Sequence, residues 1–284
     1  MTGEFDLPTQ SPLYHAEHAS RYDRQQLIET YQGLFECRLV AVIDFIFPYG
    51  VNYFEELVYD ADPEQDLHIL LSSPGGDGET AIRLVRSAQS RCRELTVIIP
   101  DQAKSAATLL ALGADHLLMG PTSDLGPVDP QFQMANGSLV AAKDIIAAVE
   151  AAEQAVSDRP DTYPLHAALL AEVTDLMVQQ ARLALGRTDD LMREALKCGT
   201  GKGDTGLEDL MIKLRPSLIE AKAHEAIFGV QEAEQAGLPV TRASSSDQQW
   251  QIIWRLWAKY FSASARFYEG IRVSHTLPWN VPAI

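Results

Sequence analysis

Ser105 opens a run of small residues, Lys104-Ser105-Ala106-Ala107-Thr108, and Gly75-Gly76 follows a run of apolar ones, residues 67–71. Together the two stretches could do acyl chemistry. A hydroxyl at a helix start beside free backbone N–H donors suits attack on a carbonyl, because the donors hold the negative charge that forms on its oxygen. Taken singly, serine is a favoured helix cap and Gly-Gly a common turn, so the chemistry requires the two to lie side by side. Neighbouring parallel strands would bring them there.

The surrounding sequence supplies such strands. Residues 67–71 alternate poorly in polarity, which reads as a strand covered on both faces, and Ser73-Pro74-Gly75-Gly76 ends it with a turn. Residues 77–90 then carry Ala81, Leu84, Val85 and Ala88 at helical spacing. The plan repeats: residues 95–99 form a β-branched strand, Pro100-Asp101-Gln102 breaks it, and a small-residue helix opens near Ser105. Upstream, residues 21–36 have Leu27, Tyr31 and Leu34 at helical spacing, 38–47 are an apolar strand stopped by Pro48-Tyr49-Gly50, and 51–59 read as a short helix. A fourth strand is expected at 116–119. Strands alternating with helices imply an α/β fold around a parallel sheet.

The combination SPGG (73–76), AKSAATLLALGAD (103–115) and MGPTSDLGPVDPQ (119–131) resembles the serine dehydrogenase proteinase family. That family lies within the ClpP/crotonase superfamily, which also holds signal peptide peptidase A. SRYDRQQLIETY upstream and AHEAIFGVQEAEQAGLPV downstream look like the same family, so the resemblance covers residues 12–240. It implies a ClpP/crotonase-like spiral of βαβ units, with a helical insert at 139–228 that stands over the active site or provides oligomer contacts. It implies Ser105 as nucleophile, and Gly76 and Ala106 as the residues whose N–H groups form the oxyanion hole. Gly75 and Asp129 fall on the substrate side, while Asp124, Asp129 and Gln131 shape the loop that carries it.

A serine hydroxyl needs a base. Residues 126–131, where ClpP would have its histidine, read GPVDPQ, which disfavours a Ser-His-Asp triad. Signal peptide peptidases instead use a lysine on a later helix, and here Lys143 lies 38 residues after Ser105. It is the only basic residue in 138–149, set among Val140, Ala141, Ala142, Ile145 and Ile146. Desolvation on such a face would favour the neutral amine that a base requires; an ordinary surface lysine is the competing reading. Lys104 departs from the small or apolar residue usual before the serine. Its side chain points about 100° from that of Ser105 on a helix, so it is a candidate for binding a substrate carboxylate rather than for the base. His224, near the region that closes the site in the resembled family, is a further candidate, against the competing reading of a structural histidine.

Composition narrows the class. The 284 residues are 46% hydrophobic, and 23 basic against 39 acidic side chains give a net charge of −16, which disfavours nucleic acid and anionic membrane surfaces as partners. Cys37, Cys92 and Cys198 have no metal spacing and read as reduced thiols, and His15 and His18 as solvated side chains. The glycine-rich stretch 198–206 lacks the order of a phosphate-binding loop. No metal or nucleotide cofactor is implied. The N-terminus has no signal-peptide pattern and no apolar run is long enough to span a membrane, so a cytoplasmic location is expected.

The expected organisation is an N-terminal arm at 1–20, a peptidase domain at 21–240, and a C-terminal aromatic helix and tail at 241–284. Within the insert, 139–156, 165–185 and 188–197 have helical period, followed by helices at 216–228 and 230–236. Trp250, Ile253, Trp254, Trp257 and Phe261 share one helical face, expected to contact another subunit. The function that fits is a Ser-Lys peptidase acting through an acyl-enzyme on an extended peptide, as a homo-oligomer. A catalytically silent scaffold and a crotonase-type acyl-CoA enzyme are the alternatives, and the paired SPGG and AKSAAT motifs weigh against the latter.

Overall fold

Successive apolar runs become neighbouring strands because each has two faces to bury. In the computed structural model, which describes residues 11–134, 137–199, 206–221 and 227–278, the chain begins with α1 (Pro12–Phe35), β1 (Cys37–Ile43), α2 (Pro48–Val58), β2 (Asp66–Ser72) and α3 (Gly78–Gln89). Next come β3 (Leu95–Ile99), β4 (Gln102–Ala103), α4 (Ala106–Leu112), β5 (His116–Met119), β6 (Asp124–Leu125), β7 (Gln131–Gln133) and β8 (Leu139–Ala141). The insert follows as α5 (Ala142–Asp158), α6 (Tyr163–Leu169), α7 (Asp175–Cys198) and α8 (Leu207–Leu218). The chain closes with α9 (Val230–Ala236), β9 (Val240–Arg242), α10 (Gln248–Ala263), β10 (Ala265–Glu269) and β11 (Ser274–Pro278).

The main sheet has seven strands in the order β11-β10-β1-β2-β3-β5-β9. β1, β2, β3, β5 and β9 pair in parallel, whereas β10 and β11 pair antiparallel on the flank of β1. The period of two along a strand splits the core. Val40, Val42, Ile69, Leu71, Val97, Ile99, Leu117 and Met119 join the cluster containing α3, α4 and α7 residues, while Leu39, Ala41, Leu70, Ile98 and Leu118 join that of α1 and α10. The expected α/β architecture is therefore present, with helices on both faces.

Several boundaries differ from expectation. The first helix starts at Pro12 rather than residue 21, because Ser11 Oγ accepts the Tyr14 N–H at 3.2 Å and proline occupies the first turn. Residues 12–20, expected as an N-terminal arm, thus continue into the same helix as residues 21–35. Gly186 does not break α7, as burial of Ala181, Thr188 and Leu191 on either side outweighs the roughly 1 kcal/mol cost of one helical glycine. Residues 139–141 are a strand rather than the first turn of α5. A helix spans Leu207–Leu218 around Pro216, where a later start was expected.

The C-terminal stretch is more than a helix and tail. α10 buries Trp250, Ile253 and Trp257 in the second core and leaves Trp254 and Phe261 exposed, so most of the aromatic face packs inside its own chain. β10 then enters the central sheet beside β1. A buried ion pair ties it to the N-terminus: Arg24 Nε donates to Glu269 Oε2 at 2.6 Å, with the guanidinium carbon 4.7 Å from the Phe267 ring centroid. Among the described residues, no helix is long and apolar enough to cross a membrane.

Candidate active site

A second, smaller ladder crosses the carboxyl ends of the parallel strands. Ser73 bridges Ala103, Ala103 pairs with Leu125, and Leu125 bridges Phe228. It places the glycine turn after β2 directly against the turn before α4.

Both glycines are required by that contact. Gly75 has φ 108° and Gly76 φ 147°, values that L side chains rarely adopt. A Cβ on Gly75 would lie 2.8 Å from both the Lys104 carbonyl oxygen and Ser105 Cβ, and one on Gly76 would lie 2.2 Å from the Ile46 carbonyl oxygen. The turn is pinned by Ile46 N–H to the Gly75 carbonyl at 2.8 Å, Asp77 N–H to the Ile46 carbonyl at 2.6 Å, and Gly75 N–H to Ser73 Oγ at 3.1 Å. Asp77 then caps α3, its carboxylate accepting the Thr80 N–H at 2.7 Å.

Ser105 sits in a strained backbone conformation, φ 49° and ψ −117°, immediately before α4. Glu36 and Ser264 also have positive φ, but as left-handed caps after helices with ψ 35° and 45°. Ser105 lies outside that basin, a state that costs about 1–3 kcal/mol and persists only where neighbours enforce it. They do so here. Lys104 N–H donates to the Ser73 carbonyl at 3.0 Å, and the Thr108 hydroxyl lies 2.8 Å from the carbonyls of both Ala103 and Gly126.

The result is a cavity of about 240 Å³ lined by Gly76, Ser105, Ala106, Val128 and Asp129, with Arg187, Thr188 and Leu191 of α7 as its far wall. Of the expected site residues, Ser105, Gly76, Ala106 and Asp129 meet on this cavity, and Gly75 backs the serine. Among the described residues, nothing accepts a hydrogen bond from the N–H of Gly76 or Ala106.

Lys143 is held next door. Its amine donates to the Ala221 carbonyl and lies 3.7 Å from Asp129 Oδ2. The side chain lines an adjoining cavity of about 600 Å³ with Asp189, Arg215 and Glu220. Asp129, whose side chain is fully buried, thus stands between the serine cavity and the lysine. Lys104 does not face the cavity: its stem packs where a Gly126 side chain would be, and its amine pairs with Asp124. The suggested role in binding a substrate carboxylate is therefore corrected to an internal tie, and the other Asp124 oxygen accepts the Phe228 N–H at 2.9 Å. His224 and residues 200–205 of the glycine-rich loop lie outside the described residues.

The sequence reading missed the α7 wall. Arg187 reaches Glu79 on α3 through two bonds of 2.6 and 2.9 Å and Glu194 at 2.7 Å, and Arg86 joins Glu194 at 2.8 Å. Hydrogen bonding from Arg187, and secondarily its charge, holds the Glu79 carboxyl below its ordinary range. Glu79 in the first turn of α3 was the available signal, though its partner lies 108 residues away. Among the described residues, no group of three or more histidine, cysteine or acidic side chains could hold a metal.

Residues 58–196 match the family of ClpP-like SDH-type serine proteinases, the family that the SPGG and AKSAAT stretches resemble. An uncharacterized protein of Methanocaldococcus jannaschii is 29% identical over 181 residues, 63% of this chain and 55% of its own length. A second uncharacterized protein of that organism is 32% identical over 69 residues, 24% of each chain. The chain thus spans about half the length of the first relative and a quarter of the second. Among solved structures, a ClpP1 mutant from Listeria monocytogenes aligns over 78% of this chain and 99% of its own at 14% identity, with a TM-score of 0.39.

Proposed function

From the family match and the Ser105 turn together, we propose that the chain is a serine peptidase that works through an acyl-enzyme on extended peptides. One observation carries this reading: a serine forced to positive φ at a helix start, sharing its cavity with the uncommitted N–H groups of Gly76 and Ala106. In the proposed cycle, Ser105 Oγ bonds to the peptide carbonyl carbon as its proton passes to the Lys143 amine. The two N–H groups hold the oxyanion. The C–N bond then breaks and the proton goes to the leaving amine. Water attacks the resulting ester, releasing a carboxylate and restoring the serine.

In this reading Lys143 leaves the Ala221 carbonyl to reach the serine, with Asp129 beside its path. Assembly into a homo-oligomer belongs to the same proposal. In this proposal the exposed Leu165, Leu169, Leu176 and Leu183 of the insert are the apolar side chains that another copy would cover. A cytoplasmic location is likewise part of it.

The engagement of the Lys143 amine by two oxygen partners favours a second reading, a catalytically silent scaffold. Labelling with a fluorophosphonate separates them. The parent should label, Ser105→Ala should not, and Lys143→Met should label at least about a hundredfold more slowly, within the usual range for losing a general base. Equal labelling of parent and Ser105→Ala removes the serine from the chemistry. Labelling of neither, with casein left intact by the parent, leaves the scaffold.

A further inference from the structure

The loop after β5, residues 242–245 and the first half of α10 line a separate open cleft of about 640 Å³, within the size range of small-ligand sites. Glycine at 120 makes room for its inner wall, since a Cβ there would lie 2.2 Å from Trp250 Cζ2. Trp254 stacks on Trp250 with ring centroids 6.2 Å apart and is 47% exposed. Pro121 adds a third apolar surface.

The charged lining of this cavity consists of Arg242 and Arg255, without a carboxylate. Arg242 is tethered to Glu234 at 2.6 Å, whereas Arg255 makes no hydrogen bond or ion pair with the described residues. In a chain of net charge −16, Arg255 is a cation that no acid of this lining compensates, and with the Arg242 guanidinium beside it, itself paired with Glu234, it offers a local attraction for an anion. Arg242 is also the last residue of β9, one of the two edge strands of the sheet. Such an edge can accept an added extended main chain.

We infer that this cavity binds the free carboxy terminus of a peptide whose last residue is apolar or aromatic. Arg255 takes the carboxylate with Arg242 beside it, the last side chain lies on the Trp254 indole, and the preceding main chain runs along β9. Guanidinium recognises carboxylate by paired, charge-assisted bonds, and an exposed indole supplies a rigid apolar face. The apolar walls and the strand edge together select a peptide end over a bare inorganic anion.

The full chain is titrated with acetyl-Ala-Ala-Phe as free acid and as carboxamide, and with phenylpropionate, by tryptophan fluorescence and calorimetry. The free acid should bind, and the amide should bind at least about tenfold more weakly, as expected for loss of one charge-assisted pair. Arg255→Gln, at an exposed residue without internal partners, should leave thermal unfolding unchanged, reduce binding of the acid about tenfold and spare the amide. Equal affinities for acid and amide, no binding of the acid, or an Arg255→Gln variant that binds the acid like the parent would each overturn the assignment. Phenylpropionate binding as tightly as the peptide would overturn the peptide end in favour of small carboxylates.

Discussion

Ser105 and Lys143, the two residues of the proposed chemistry, are held by different forces. The serine is fixed by backbone: two glycines at positive φ, a ladder through Ser73 and Ala103, and a strained residue that neighbours oblige to stay put. The lysine is fixed by side-chain contacts, a bond to the Ala221 carbonyl and the nearby Asp129 carboxylate. Backbone geometry cannot relax without dismantling the turn. A lysine side chain can swing by changing rotamers. The side of the proposed nucleophile is therefore preorganised, and adjustment belongs to the side of the proposed base.

The sharpest way to break this contrast is Gly76→Ala. A Cβ 2.2 Å from the Ile46 carbonyl oxygen, at φ 147°, should cost about 4 kcal/mol or more, the range reserved for a main-chain collision combined with strain. A denaturant midpoint near that of the parent would show that the turn yields more readily than its contacts indicate.

The far face of the sheet provides a control that should touch neither side. His68 Nδ1 lies 2.8 Å from the Tyr31 hydroxyl, which also accepts from Gln249 Nε2 at 2.7 Å. Burial pushes the imidazole down to about 4, opposed by Asp66 and assisted by His116. Since the unfolded histidine binds its proton more tightly, stability is fully present above pH 6.5 and is lost as pH falls toward 4. The loss amounts to about 3 kcal/mol. Urea unfolding across that window should show the slope, and His68→Gln should flatten it.

A smaller effect is expected from Lys143→Met, which leaves Asp129 facing no amine. The pair is partly solvent-screened on the lysine side, so about 1–2 kcal/mol is expected rather than the full cost of a buried charge. The double variant with Asp129→Asn should recover most of this stability, while activity stays absent in both if the lysine is the base. Non-recovery in thermal melts would mean that the pair is not what holds this side together. The least effect belongs to Arg187→Gln at the α7 wall, about 0.5–1 kcal/mol at low salt and less in high salt, because Glu79 is exposed and Glu194 only half-buried. A salt-independent loss would instead assign Arg187 a packing role.

The same contrast explains what could be read in advance. The Ser105 turn was legible because it depends on residues with special backbone latitude, Gly75 and Gly76, next to a helix start in local sequence. Ile46 under Gly76 and the α7 wall were not legible, because they join segments far apart in the chain and leave no local period. β10 was hidden for another reason. Its sequence, ARFYE, carries Arg266 and Glu269 at buried positions, which suppresses the apolar signal of a strand. Those charges are tolerated because Arg24 meets Glu269 and Asp44 lies 3.4 Å from Arg266. In α10, the five-residue aromatic face was wider than the layer it covers, so Trp254 and Phe261 spilled past its edge.

The placement of β10 beside β1 has a consequence for how the molecule is made. β1 lacks its outer neighbour until Ala265–Glu269 have been synthesised, and Arg24 waits for Glu269 over the same interval. That flank of the sheet stays unpaired, and its rear layer is covered by α1 alone, until α10 and β10 have been made, so closure of this side follows synthesis of residues 248–269.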